Sequence, residues 1–200
     1  MNPGATTERV HDALKRRIMD HDFRPGDRLD PAALAEALSA STTPVREALN
    51  QLVGEGLAES RAGGGFQIPL LDEPGLKDLY AWSGEVLALA IRGWQDLAPI
   101  DAEACETSQV AERTADLFLA IARRSVNREH GRAVERLNAR LHPIRHVEAH
   151  VTAGIDDEVA AMIAAASDGK RDVLRRLISA YHRRRRRLAA KIVRAVYRTD

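Results

Sequence analysis

The chain has 200 residues, 44% of them apolar, with 30 Lys/Arg against 29 Asp/Glu. That suits one large or two small globular domains, and a net charge of +1 does not by itself announce a nucleic-acid binder. The single cysteine, Cys105, excludes an internal disulfide, no apolar N-terminal stretch resembles a signal peptide, and the longest apolar run, Val159 to Ala166, is far too short to span a bilayer. A cytoplasmic protein without membrane contact is expected.

Met1 to Ala5 reads as a loose leader. Thr6 or Thr7 can cap a first helix over 8–20, in which Val10, Ala13, Leu14, Ile18 and Met19 recur at helical spacing. The stretch 23–29, FRPGDRL, is a turn. Asp30 caps a second helix with Pro31 at its first position, turning Leu34, Ala35 and Leu38 inward, and 39–41 make a tight connection. The third helix, STTPVREALNQLVGEGL, has Thr42 or Thr43 as cap and Pro44 in the first turn. Val45, Ala48, Leu49 and Leu52 form its apolar stripe, with Arg46, Glu47 and Asn50 off it. Gly56 stands where a left-handed C-cap belongs. Residues 57–60, the glycine turn at 61–65 and 66–68 then read as strand, turn and strand. The prediction for 1–70 is a winged helix-turn-helix of three helices plus a two-stranded wing.

TTPVREAL, EGL and GGGF, with PGDRL upstream, resemble the winged DNA-binding domain of the GntR family of bacterial transcription regulators, over roughly residues 7–69. The resemblance implies that the TPVRE helix enters the major groove and that the wing reaches the adjacent backbone or minor groove. Carried over, Thr43 and Arg46 would contact phosphate or bases, and Gly64 and Gly65 would let the wing backbone approach DNA closely. Many relatives carry arginine where Thr42 stands, so one cationic contact is lost, and Arg61 is a candidate replacement. Arg46 is the strongest candidate, because the positions three and four residues away are Thr42, Thr43, Leu49 and Asn50, none of them acidic. Charge argues the other way, since residues 1–70 hold 8 Lys/Arg against 10 Asp/Glu. The DNA reading therefore requires Arg24, Arg28, Arg46 and Arg61 to share a face while the acids are placed elsewhere.

Residues 70–74 read as a linker. Beyond them almost nothing resembles a strand. Helices are predicted over 75–94, from an Asp101 cap to Arg124, over 128–149 with a kink or break at Pro143, over 156–166 and over 170–196. The protein is thus mainly α, with an all-helical bundle over 75–200. DLFLAIARRSVNREHGRAVERLNARL at 116–141 and LISAYHRR at 177–184 resemble the helical effector-binding domain of the FadR branch of the GntR family, the FCD type.

That resemblance implies a divalent metal held by an Asp and three His, but the ligand set is mostly absent. Leu119 and Ala160 stand where histidines are expected, and only His182 matches, so no metal or other cofactor is expected. His142, His146 and His150 recur every four residues, and a two-histidine site completed by His182 or Asp116 is the remaining metal candidate. A metal-free cavity lined by Leu119, Trp82, Tyr80 and Ala160 would take an organic effector, with Arg145, Arg175 or Tyr181 anchoring a carboxylate. The candidate effector residues are Leu119, Arg145, His146, Tyr181 and His182. The Arg183–Arg187 run is expected to be solvated and paired with acids of other helices; a second DNA contact or an acidic partner is its other reading. Glycine-rich 63–65 precedes a strand rather than a helix, and neither a nucleophile elbow nor paired cysteines occur, which speaks against an enzyme. The expected partners are an operator duplex, a small-molecule effector and a second copy of the chain; the alternative is a DNA-binding dimer whose bundle no longer senses a ligand.

Overall fold

The computed structural model describes residues 3–95, 100 and 109–198. By contact density the chain divides into two units, Met1–Leu71 and Asp72–Asp200.

In the first unit, helix α1 spans Pro3–Met19 and buries Val10, Leu14 and Ile18. It begins before the expected Glu8, because Pro3 suits a first turn that needs no N–H. Thr7 therefore lies inside the helix, and its hydroxyl donates to Glu47 at 2.8 Å instead of capping. Strand β1, Arg28–Leu29, leads to α2, Pro31–Ala37. Asp30 caps α2 by accepting from the N–H groups of Ala32 and Ala33, at 2.8 and 3.4 Å. Ser39 takes a positive φ of 48° and turns the chain into α3, Thr42–Glu55. The N-cap of α3 is Ser41, not Thr42 or Thr43, and no side chain closes it. Val45, Ala48, Leu49 and Leu52 are fully buried as a stripe, and Gly56 (φ 75°) ends the helix. Strands β2, Glu59–Ser60, and β3, Phe66–Gln67, follow.

The wing sheet has three antiparallel strands in the order β1-β3-β2, one more than the sequence predicts. The stretch read as a turn is drawn into the sheet because Leu29 is buried opposite Phe66. The backbones of Gly26 and Asp27 also exchange hydrogen bonds with Ile68, at 3.0 and 2.9 Å.

The second unit contains helices α4, Glu73–Arg92; α5, Val110–Arg123; α6, Arg128–Val151; α7, Ile155–Ser167; and α8, Arg171–Val196. Glu73 and Pro74, read as linker, open α4, with Asp72 accepting from Gly75 N–H at 2.7 Å. The proposed Asp101 cap and the start of its helix lie outside the described residues. Helix α6 continues through Pro143 without a break. Its buried Val134, Leu137, Leu141, Ile144 and Val147 hold it on both sides of the proline. Helices α4 and α8 approach closely at Gly84, where a Cβ would stand 3.2 Å from the His182 ring. Among the described residues, no helix is long and apolar enough to cross a membrane.

Candidate functional site

In the first unit most of the acidic residues are occupied. Glu47 accepts from Thr7. Glu55 accepts from His11 and Lys15, each at 2.7 Å. Asp22 pairs with Arg17 at 2.7 Å, Glu59 with the Gln67 amide, and Asp27 accepts from Arg24 N–H at 2.8 Å. Burial opposes the Glu55 charge, yet the bonds from Lys15 and His11 hold its carboxyl below the usual value. The Asp30 carboxyl is held low chiefly by the N–H groups of Ala32 and Ala33, with Arg28 and Arg46 adding to the effect. Arg28 and Arg46 thus lie near one another at the start of α2.

Arg28, Arg46 and Arg61 are exposed and form no ion pair among the described residues. Arg46 projects from the first turns of α3 beside exposed Thr42 and Thr43. Because Ser41 makes no side-chain cap bond, the first N–H groups of α3 remain available to an anion. At the wing, Gly64 and Gly65 have φ of 87° and 88°, and a Cβ on either would meet nothing within 4 Å. Arg61 closes this turn, its N–H donating to Gly65 O at 3.1 Å and its carbonyl accepting from Gly64 at 2.9 Å. An uncapped helix end, unpaired guanidinium groups and an open glycine tip are the parts needed to grip a phosphate backbone and reach base edges.

The second unit contains a different assembly, a charged cluster inside the bundle. Arg185 of α8 is 1% exposed; its Nε donates to Glu148 of α6 at 3.1 Å, and its Nη1 pairs with Glu158 of α7. Tyr80 of α4 donates to the other Glu148 oxygen. Burial pushes the Glu148 carboxyl up to about 7 despite Arg185. Burial also opposes the Arg185 charge, but Tyr181 and the two carboxylates hold its pKa above the ordinary arginine value. The Arg185 guanidinium stacks 3.4 Å from the Tyr181 ring centroid. Phe118 meets Tyr181 edge-on at 5.3 Å and His182 in a stack at 5.5 Å.

Arg145 of α6, 2% exposed, lies over the Phe118 ring at 5.4 Å and donates from Nη1 to Asn138 Oδ1 at 3.0 Å. Asn138 is fixed in turn by its own donation to Ala115 O at 2.8 Å. Desolvation lowers the Arg145 pKa, but a guanidinium keeps its proton, so a buried cation persists. His182 donates from Nδ1 to Ile178 O at 2.8 Å, which leaves Nε2 to accept from Ser83 at 3.0 Å. Burial, reinforced by Arg145 and Arg185, pushes its pKa down to about 3.

Several expectations are corrected here. Trp82 is 50% exposed and Ala160 is exposed, so neither lines an interior cavity, and Leu119 is half-buried. An open groove of about 810 Å³ between α4 and α8 is bounded by Tyr80, Gly84, Ile178 and His182, with Arg175, Arg183 and Arg186 also lining it. His142 and His146 come together, Nε2 to Nε2 3.1 Å, but His182 cannot complete a site with them because both its ring nitrogens are engaged. Among the described residues no group of three or more His, Cys, Asp or Glu is placed to hold a metal. The donor set does not fit the metal that the FCD resemblance implies. The arginine run is not wholly solvated either: Arg185 is interior, while Arg184, partly exposed, reaches Ala153 O at 2.5 Å and Glu158 at 3.5 Å.

Comparison with known proteins separates the two units. Residues 6–68 match the profile of bacterial regulatory proteins, gntR family. Residues 6–68 form a GntR-family helix-turn-helix domain. Over 62 residues, 31% of this chain, the sequence is 44% identical to the Nta operon transcriptional regulator of Aminobacter aminovorans, covering 30% of that protein. Over 117 residues, 56% of this chain, it is 32% identical to the HTH-type transcriptional regulator McbR of Escherichia coli K12, covering 52% of it. The chain therefore spans about a third to a half of the length of these relatives. In fold, the structure of E. coli McbR/YncC matches 93% of this chain and 97% of its own, with TM-score 0.67 at 23% identity. A structure from Rhodococcus sp. RHA1, described as a GntR transcriptional regulator, matches 94% and 98% with TM-score 0.78 at 19% identity. The gntR-family match covers the first unit, the 117-residue match to McbR runs beyond it, and over nearly the whole chain the two solved structures share the fold.

Of the sequence-predicted residues, the GntR domain places Thr42, Thr43 and Arg46 at one helix end and Arg61, Gly64 and Gly65 in one turn. The helical unit brings Arg145, Tyr181 and His182 together around Phe118, while His146 faces His142. Sequence reasoning missed Glu148, Asn138, Ser83 and Arg185. The signal for Arg185 was present, because Ile178, Tyr181, Arg185, Ala189 and Ile192 are the buried stripe of α8.

Proposed function

We propose that this GntR-family protein is a transcriptional regulator that binds a palindromic operator as a homodimer, with its FCD-like helical unit sensing a small organic acid. The observation that carries the reading is Arg46, exposed and free of an ion pair beside the uncapped N-terminus of α3, with the left-handed wing glycines in the same unit. A guanidinium in that position can clamp a phosphate or read guanine bidentately. Two-fold symmetry follows from the specificity needed, since half-sites about 10 base pairs apart present successive major grooves to paired helices. The interior cluster supports ligand sensing over a purely dimerising bundle, because a unit required only for association has no need of a buried guanidinium without a carboxylate.

The test is selection of binding sites from a random duplex library by the full chain, followed by fluorescence anisotropy on the recovered site. A palindromic site bound by a dimer is the expected outcome. Replacing Arg46→Ala should weaken binding by about 1–3 kcal/mol and relax the sequence preference if a base is read. Enrichment of no sequence, or an R46A variant that binds as before, would refute the reading.

A further inference from the structure

The outer face of α8 repeats one chemistry along its length. Arg176, Arg183, Arg187, Lys191 and Arg194 follow one another at spacings of seven, four, four and three residues, which sets them on one side of the helix over about 27 Å, and all five are exposed. Small residues, Ala180 and Ala190, lie among them, and Asp172, the one acid of α8, pairs with Arg175 at 3.8 Å. The carboxylates that reach α8 from α6 and α7 are spent on its other sides: Glu148 on Arg185, Glu158 on Arg184 and Arg185. Among the described residues none of the five meets a carboxylate within 4 Å. Lys191 donates to Val151 O at 2.7 Å and Arg194 Nε to Ala190 O at 3.2 Å, bonds that steady the side chains and leave their charge uncancelled. Arg183 with Arg187, and Arg187 with Lys191, are like charges one turn apart, a placing that weakens a helix by itself. The result is an unneutralised row of cations on a rigid element.

We propose that this face of α8 binds the phosphate backbone of duplex DNA without reading its sequence, as a contact additional to that of α3. The surroundings select the occupant. An acidic protein surface is met by an apolar centre inside a charged rim, and an anionic membrane by apolar side chains that insert; no large apolar side chain of α8 is exposed. A single strand needs aromatic faces on which to stack its bases, and none stands among the five. A uniform polyanion is what a uniform row of cations fits. Duplex DNA carries one charge per about 1.7 Å of its axis, regular enough to meet a straight row whose members from Arg183 onward are about one helical turn apart. Four of the five are arginines, whose fork matches phosphate oxygens.

The experiment measures binding of the full chain to a fluorescent duplex of random sequence between about 50 and 200 mM salt. Arg176→Gln, Arg183→Gln and Arg187→Gln combined should reduce the slope of log K against log salt by about 2–3, close to one phosphate contact for each arginine. Arg128→Gln, Arg136→Gln and Arg140→Gln on α6, also exposed and removing the same charge, should leave the slope at the parent's value, which separates contact from net charge. Arg176→Lys, Arg183→Lys and Arg187→Lys combined should keep the slope, because counter-ion release follows charge. All three variants should melt with the parent, since the replaced side chains stand in solvent. A parent-like slope in the α8 glutamine set, or an equal loss in the α6 set, would overturn the proposal. So would polyglutamate that binds the parent more tightly than the duplex does and is released by the α8 glutamine set, an outcome that assigns the face to an acidic protein. Operator recognition is judged separately. A library that enriches no sequence refutes the operator reading and leaves the α8 contact if the slope still falls; an unmoved slope beside an enriched palindrome refutes the α8 contact and leaves the operator reading.

Discussion

The two units use arginine in opposite ways. In the GntR domain Arg28, Arg46 and Arg61 stand in solvent over an apolar core, and the ion pairs among the described residues are at least partly exposed, as with Lys15 and Glu55. In the helical unit Arg145 and Arg185 are carried into the core, where Glu148, Glu158, Asn138 and two aromatic rings meet them. The first arrangement costs little to maintain and leaves cations available to a large external anion. The second is expensive unless each charge is matched, as Arg185 is by Glu148 and Glu158 and Arg145 is only in part by Asn138. Local charge counts therefore mislead in both units: the slightly acidic one presents the cations, and the arginine-rich one hides the decisive pair.

The largest expected effect comes from breaking the buried pair. Glu148→Ala strands Arg185 with Glu158 alone and removes the partner of Tyr80, and should cost about 3–5 kcal/mol of helical-unit stability. Glu55→Ala removes a half-exposed pair with Lys15 and His11 and should cost no more than about 1 kcal/mol. Both tryptophans, Trp82 and Trp94, lie in the helical unit, so fluorescence during denaturant unfolding reports that unit alone, with far-UV dichroism following the whole chain. Equal losses for the two variants would erase the distinction between interior and edge pairs.

A smaller effect is a pair of opposed pH slopes within the cluster. His182 is pushed down to about 3 from an ordinary 6.5, so between those values the unfolded chain takes a proton that the folded one refuses, and stability is lost as pH falls below 6.5. Glu148 is pushed up to about 7 from 4.5, so the folded chain holds the extra proton, and that contribution is lost as pH rises from 4.5 through 7. Between pH 5 and 7 each is worth on the order of 2 kcal/mol, and the parent's stability should be nearly flat because they oppose. His182→Asn should become more stable toward pH 5, and Glu148→Gln less stable. Tryptophan-monitored unfolding at the two pH values checks both signs, and parallel slopes in the two variants would contradict the assignment.

What could be read from the sequence followed how regularly each feature repeats. The apolar stripes of α1, α3 and α8 persist over several turns, so these helices and the Val45–Leu52 core were legible from periodicity. Strand β1 was not, since two residues carry no period and only the long-range pairing of Leu29 with Phe66 makes them a strand. Arg46 was singled out from the TPVRE resemblance and the absence of acids within one helical turn, both local properties. Arg185 was obscured by its four arginine neighbours, although its spacing from Tyr181 and Ala189 placed it on the buried stripe. Trp82 was placed in the lining of a cavity, but its side of α4 is the solvent side, seven residues from exposed Leu89. Arg145 was visible as a possible carboxylate anchor, but its burial over Phe118 and its bond to Asn138 could not be inferred, because the first depends on how α5 packs against α6.

The smallest expected effects come from two helical glycines. Gly54 in α3 is exposed, and an added Cβ would meet nothing within 4 Å. Gly54→Ala should therefore stabilise the GntR domain by about 0.5–1 kcal/mol through backbone entropy alone. Gly84 in α4 has the same intrinsic gain available, but its Cβ would stand 3.2 Å from His182 Cγ and 3.4 Å from His182 Cβ. His182 has no room to withdraw: Ser83 and Ile178 O hold both ring nitrogens, and Phe118 is stacked on the ring. Crowding then offsets the helix gain, and Gly84→Ala should be neutral to destabilising in tryptophan-monitored unfolding. If G84A stabilised the helical unit as much as G54A stabilises its own, His182 would have to be free to move. The ordered cluster that fixes Arg145 and its neighbours would then be looser than its hydrogen bonds imply.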